Sequence, residues 1–165
     1  MSANHLAGFR RVNDEVYYAR SPFCPVYPET IDELKAVARQ NARGRVRICF
    51  HASPDAALHD MLIVLTGAAV YPAHKHLNKE EAFHLIEGRL RVMLHADDGT
   101  IEETVDLAGA PLQGGANTAF YCRIPMNKFH TVIPMSETVV FREVTDGPFV
   151  PEQTVFADWP AVRAG

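Results

Sequence analysis

The chain has 165 residues, a formal net charge of −4, 47% hydrophobic and 22% charged residues, which suits a single soluble domain able to bury roughly two thirds of its unfolded surface without staples. Residues 1–50 carry eight Lys or Arg against five Asp or Glu, and the remainder eight against fifteen. With Arg39, Arg43, Arg45 and Arg47 as the one visible basic cluster, the balance argues against a nucleic-acid partner. No segment approaches the ~20 apolar residues of a membrane span and the N-terminus lacks the apolar core of a secretion signal, so a cytoplasmic protein with no membrane partner is expected. Cys24, Cys49 and Cys122 form no CxxC pair and read as reduced thiols in the interior.

In chain order the first clear element is a helix over "PETIDELKAVARQNARG", residues 28–44. Thr30 and Glu33 have capping-box spacing, Ile31, Leu34 and Ala38 fall on one face, and Gly44 stands where a left-handed C-terminal cap would go. Residues 1–44 are expected to form an extension and helix covering the remainder, with residues 45–165 as the principal unit of a single domain. From Gly44 onward the periodicity changes to two. In "RVRICFH", Val46, Ile48 and Phe50 face one way, and Arg45, Arg47, Cys49 and His51 the other. Further strands are predicted at Met61–Leu65, Ala82–Ile86, Arg89–His95, Ile101–Leu107, Ala119–Ile124 and Thr138–Val144. Turn signals separate them, among them Gly114–Gly115. Many short strands at this spacing predict an all-β sandwich or barrel.

Two strand-spaced imidazoles, His74 and His76, lie on one face of an extended segment. "LNKE" then permits a turn that returns a carboxylate to them, and Glu81, leading into the apolar "AFHLIEG", would be costly to bury unless paired or metal-bound. Glu80 competes for that role. In "RIPMNKFHTVIP", Pro125 interrupts a strand, Asn127 tolerates the left-handed conformation of a tight turn, and His130 opens a new apolar strand. His84 faces away from Phe83 and Leu85 and is expected at the surface. His51, His59 and His95 read as solvated or hydrogen-bonded histidines.

His74, His76, Glu81 and Gly88, in the spacing HxH, four residues, Glu, six residues, Gly, resemble the first motif of the cupins. Pro125 to His130 resembles their second motif, with Asn127 where Gly is usual. The resemblance implies a double-stranded β-helix with an N-terminal helical segment and one divalent transition metal (Fe, Mn, Ni, Zn or Cu) on His74, His76, Glu81 and His130. At finer grain "RVRICFHASPD", "MLIVL", "YPAHKH", "EEAFHLIEGRL", "FYCRIP", "FHTVIP", "DGPF" and "FADWP" resemble the WbuC-type cupin metalloproteins, a group associated with O-antigen and surface-polysaccharide gene sets. It also implies a homodimer, in which the aromatic-rich segment from Phe9 to Tyr27 would be an exchanged or covering strand.

A mixed N/O donor set with open positions on the metal suits a small-molecule ligand. The candidate substrate contacts are Arg47, His51, Tyr121 and Arg123. Arg47, Cys49 and His51 share a strand face that would line a barrel, and the forked donors of Arg47 and Arg123 would suit a carboxylate or phosphate if they point inward. No catalytic acid or base stands out. Three functions follow: Lewis-acid chemistry on a sugar-like or hydroxy-acid molecule, Fe(II)-dependent oxygenation, or a metal-dependent binding module without catalysis.

Overall fold

The structure is a computed structural model that describes residues 4–109 and 118–161; the turn predicted at Gly114–Gly115 lies outside them. In chain order the elements are β1 (Phe9–Arg11), β2 (Val16–Ala19), α1 (Pro28–Gln40), β3 (Arg45–Cys49), β4 (Leu58–Thr66), β5 (His74–His76), β6 (Glu81–Glu87), β7 (Arg89–His95), β8 (Ile101–Ala108), β9 (Tyr121–Ile124), β10 (Phe129–Pro134), β11 (Thr138–Asp146) and β12 (Thr154–Phe156). They form a seven-stranded sheet in the order β1-β2-β3-β4-β11-β6-β9 and a five-stranded sheet in the order β12-β5-β10-β7-β8. The two sheets face one another across an apolar core that includes Ile63, Leu65, Leu85, Leu90, Val92, Val132 and Phe141.

Strand β4 has an interior on both sides, because its alternate residues serve two cores. Met61, Ile63 and Leu65 face between the sheets, while Leu62 and Val64 pack with Val46, Ile48, Leu34 and Ala38 under α1. The segment from Phe9 to Tyr27 supplies β1 and β2, which extend the same sheet in cis through a parallel pairing of β2 with β3.

Helix α1 starts two residues before the predicted cap. Pro28 takes its first position, where a fixed φ and a missing N–H are no handicap, and Thr30 Oγ1 accepts from the Tyr27 N–H at 3.4 Å. Glu33 is not a capping partner; its carboxylate accepts the N–H groups of His5 and Leu6 at 3.0 and 3.1 Å, tying the N-terminal segment to the helix. The helix ends at Gln40 with an extended Asn41 as C-cap. Gly44 does adopt φ +61°, but in the turn entering β3, where a Cβ would run into Thr66.

Gly88, at φ +81°, is where the chain leaves the seven-stranded sheet at the end of β6 and enters the five-stranded sheet as β7. A Cβ there would meet the Thr138 carbonyl oxygen. Left-handed strain and a forced backbone shift together predict that Gly88→Ala lowers the unfolding free energy by about 2–4 kcal/mol. Urea denaturation of the two proteins measures it, and an unchanged midpoint would refute the tight crossover.

Candidate metal centre

The register of β5 against β10 sets His74 directly opposite His130, and His76 follows two residues along on the same face. Glu81 enters from the other sheet as the first residue of β6. The loop before it is fixed by Thr145 Oγ1, which donates to the Glu80 carbonyl at 2.7 Å. One donor atom from each of His74, His76, Glu81 and His130 lies within 4.8 Å of the other three. Asn127, at φ +58°, makes the turn before β10, and its N–H donates to the His76 carbonyl at 2.6 Å.

Each imidazole is oriented from behind. His74 Nδ1 lies 3.1 Å from the Pro72 carbonyl, His130 Nδ1 3.0 Å from the Lys128 carbonyl, and His76 Nδ1 3.0 Å from Thr154 Oγ1 on β12. A carbonyl can only accept, so His74 and His130 carry a proton on Nδ1 and turn Nε2 towards the cluster, the tautomer that binds metals. His130 Nε2 then sits 2.9 Å from Glu81 Oε2, and His76 Nε2 3.0 Å from Glu81 Oε1. At His130 two electron-rich atoms are in contact, so a proton or a metal ion must lie between them. The donor set therefore fits a divalent transition metal, which would be held by His74, His76, Glu81 and His130.

Burial raises the Glu81 carboxyl, but hydrogen bonds and charge from His130 and His76 outweigh it and hold the group well below the usual carboxylate range. Burial, aided by the charge of His130, pushes His74 down to about 4, which keeps its imidazole neutral and able to ligate. Glu80 points away and pairs with Arg123.

The cluster forms one side of a cavity of about 270 Å³. Apolar Met61, Ile63, Phe83 and Phe141 contribute to its walls, with Arg45, Arg47, Cys49 and His51 on the β3 side and Lys79 and Phe149 from loops. Arg47 and His51 thus lie at the cavity. Tyr121 and Arg123 do not: Cys122 and Ile124 are the β9 residues that pack inward, which turns Tyr121 and Arg123 to the outer face, exposed. His51 stacks on His59 at 4.1 Å and 3°. His84 is exposed beside Phe120. His95 is the hydrogen-bonded kind, 1% exposed beside the Trp159 ring, with its Nδ1 3.3 Å from the Gly99 carbonyl. Burial raises the Cys49 thiol and pushes Cys122 up to about 11, so both remain uncharged core residues.

Sequence reasoning missed Glu143, Lys79, Tyr18 and Tyr71, all of which line the cavity. Glu143 was legible in principle, since Val139 and Phe141 face the barrel and period two carries that face to residue 143. Burial, with the Glu81 charge adding to it, pushes the Glu143 carboxyl up to about 8.

Residues 26–107, just under half of the chain, match the family model described as a domain of unknown function, DUF6016. No curated protein matches the sequence. Among solved structures, protein SO0799 from Shewanella oneidensis is 13% identical with a TM-score of 0.59, over 76% of this chain and 82% of that one. The capsular polysaccharide assembling protein CapF from Staphylococcus aureus is 17% identical with a TM-score of 0.55, over 72% and 31%. Oxalate decarboxylase from Bacillus subtilis is 19% identical with a TM-score of 0.51, over 68% and 27%. The chain thus spans less than a third of the last two. At these identities the likeness shows the fold, a cupin-type double-stranded β-helix. On this fold His74, His76, Glu81 and His130 form a group that could hold a metal ion.

The Glu143 shift has a fixed sign in stability. Its folded carboxyl, near 8 against an ordinary 4.5, holds a proton that the unfolded chain lacks between those values, so its contribution is complete below pH 4.5 and lost as pH rises to 8. Glu143→Gln should therefore gain stability relative to the metal-free parent between pH 5 and pH 8, as read by urea unfolding. A constant difference across that range would contradict the neutral carboxyl.

Proposed function

We propose that this chain takes one divalent transition metal on His74, His76, Glu81 and His130 and acts with it on a small molecule bound in the barrel cavity. The observation that carries the reading is the convergence of the four donor atoms with Nδ1 of His74 and His130 anchored by carbonyls. When bound, the metal supplies Lewis acidity that polarises a carbonyl or hydroxyl oxygen. The chain's own residues hold His74 neutral, orient the rings and shield the site with Phe83, Phe141 and Val132.

A sugar-like or hydroxy-acid substrate in surface-polysaccharide metabolism is the setting we favour. Two things support it: the resemblance of the segments from Val46 to Trp159 to the WbuC-type cupins, and the fold shared with CapF, itself described as a capsular polysaccharide assembling protein. A cytoplasmic homodimer belongs to the same reading.

Elemental analysis of untagged protein purified without added metal tests the site. The parent and Glu80→Ala should each carry about one equivalent of a transition metal, and a His74→Ala, His130→Ala double variant should carry almost none. A parent that stays metal-free after incubation with Zn(II), Ni(II) and, anaerobically, Fe(II) would overturn the proposal. Equal metal content in the double variant would overturn the ligand assignment.

A further inference from the structure

The metal ligands account for one side of the cavity and leave its cations unexplained. Lys79, in the loop between β5 and β6, is 8% exposed and lines the cavity. Among the described residues no carboxylate oxygen comes within 4.0 Å of its ammonium, which instead sits 5.5 Å from the centre of the Phe149 ring. Arg47, on β3, is an exposed residue that also lines the cavity and, among the described residues, has no such carboxylate partner; it interacts there with the Cys49 thiol. Several other basic groups are matched, Arg45 by Glu15, Arg91 by Asp106, Arg142 by Asp60 and Lys75 by Asp97, while Arg10, Arg20 and Arg89, like Arg47, are exposed.

A buried ammonium without a counter-charge is unfavourable, and removing it for an apolar residue of similar shape is often neutral or stabilising. A protein that keeps one facing a ligand-sized cavity has a reason for it when the ligand brings the opposite charge. Lys79 and Arg47 both line this one cavity, with the Glu143 carboxyl also in its lining. Met61, Ile63, Phe83 and Phe141 offer an apolar stretch for a short carbon skeleton. The volume of about 270 Å³ limits the occupant to on the order of a dozen non-hydrogen atoms.

We propose that Lys79 and Arg47 form an anion-recognition site inside the barrel, so that the molecule bound there is a small organic anion, carrying a carboxylate or a phosphate, whose oxygens also reach the His74, His76, Glu81 and His130 cluster. The second clause rests on the metal reading of the previous subsection; the anion site itself does not. Lys79 supplies a point charge and Arg47 a forked pair of donors, the two complements an oxyanion uses. His51 adds a polar edge, its Nδ1 lying 3.2 Å from the Asp60 backbone nitrogen and 3.3 Å from the Asp60 carbonyl oxygen.

The test is calorimetric titration of the metal-stripped protein with inorganic phosphate and, separately, with malate, beside Lys79→Met, Lys79→Arg and Arg47→Gln, with metal uptake of each protein measured independently. The parent should bind at least one probe. Lys79→Met and Arg47→Gln should each weaken binding about tenfold or more, and Lys79→Arg should stay within about threefold of the parent. Metal uptake should be unchanged in all three variants. Binding of phosphate alone assigns a phosphate ester, of malate alone a carboxylate, and either supports the site. Ligand-free Lys79→Met should also melt no lower than the parent, because it removes an unmatched charge. Failure of both probes on the parent, or undiminished binding by Lys79→Met and Arg47→Gln, would overturn the anion site while leaving the metal reading intact. A parent that takes no metal but binds the probes would do the reverse.

Discussion

Glu81 meets an imidazole nitrogen with each carboxylate oxygen, His76 at 3.0 Å and His130 at 2.9 Å, in a place where water solvates neither partner. A buried carboxylate left alone there would cost several kcal/mol, so the fold has to deliver two imidazoles to it from the opposite sheet with little tolerance. Much of the local architecture follows from that demand. The β5–β10 register sets two ligands face to face, β12 stands behind β5 to hold His76, and Thr145 of β11 fixes the turn that presents Glu81. The two short pairings, β5 with β10 and β12 with β5, neither able to persist alone in water, are carried by the sheet in which β10 also pairs with β7.

The same cavity keeps two carboxyl groups in opposite states. Glu81 is held ionised by its imidazole neighbours against the effect of burial, while burial, with repulsion by Glu81 adding to it, raises the Glu143 carboxyl. Occupation of the cluster by a dication would offset the charge of Glu81 and ease ionisation of Glu143, which couples the two ends of the cavity electrostatically.

His74 and His76 were legible as a pair because two residues of separation on a strand fix a common face, and Asn127 declares a left-handed turn, whereas completing the cluster with Glu81 and His130 rested on the resemblance to the cupin motifs. What failed was parity and contact. In "YCRI" apolar and polar residues do not alternate cleanly, so nothing in the string shows that Cys122 and Ile124 face inward and that Tyr121 and Arg123 face out. Glu80 and Glu81 differ by one position, and only the folded contacts separate them, Glu81 with His76 and His130 and Glu80 with Arg123. Strands of three or four residues, such as β1, β2 and β12, are too short to carry a period, which hid the support behind His76. Lys79 sits between β5 and β6, where no periodicity applies, and nothing in the string shows that its ammonium lies beside the Phe149 ring.

The double-sided burial of β4 bears on how this polypeptide could be cut. Val46, Ile48, Leu62, Val64 and Val140 lie under α1 on the side of the sheet away from the cavity. A chain begun at Arg45 would present them to water as one continuous greasy stripe, the kind of surface that makes proteins stick to themselves. The forty-odd residues ahead of β3 therefore cover a face that the rest of the sheet would otherwise leave bare.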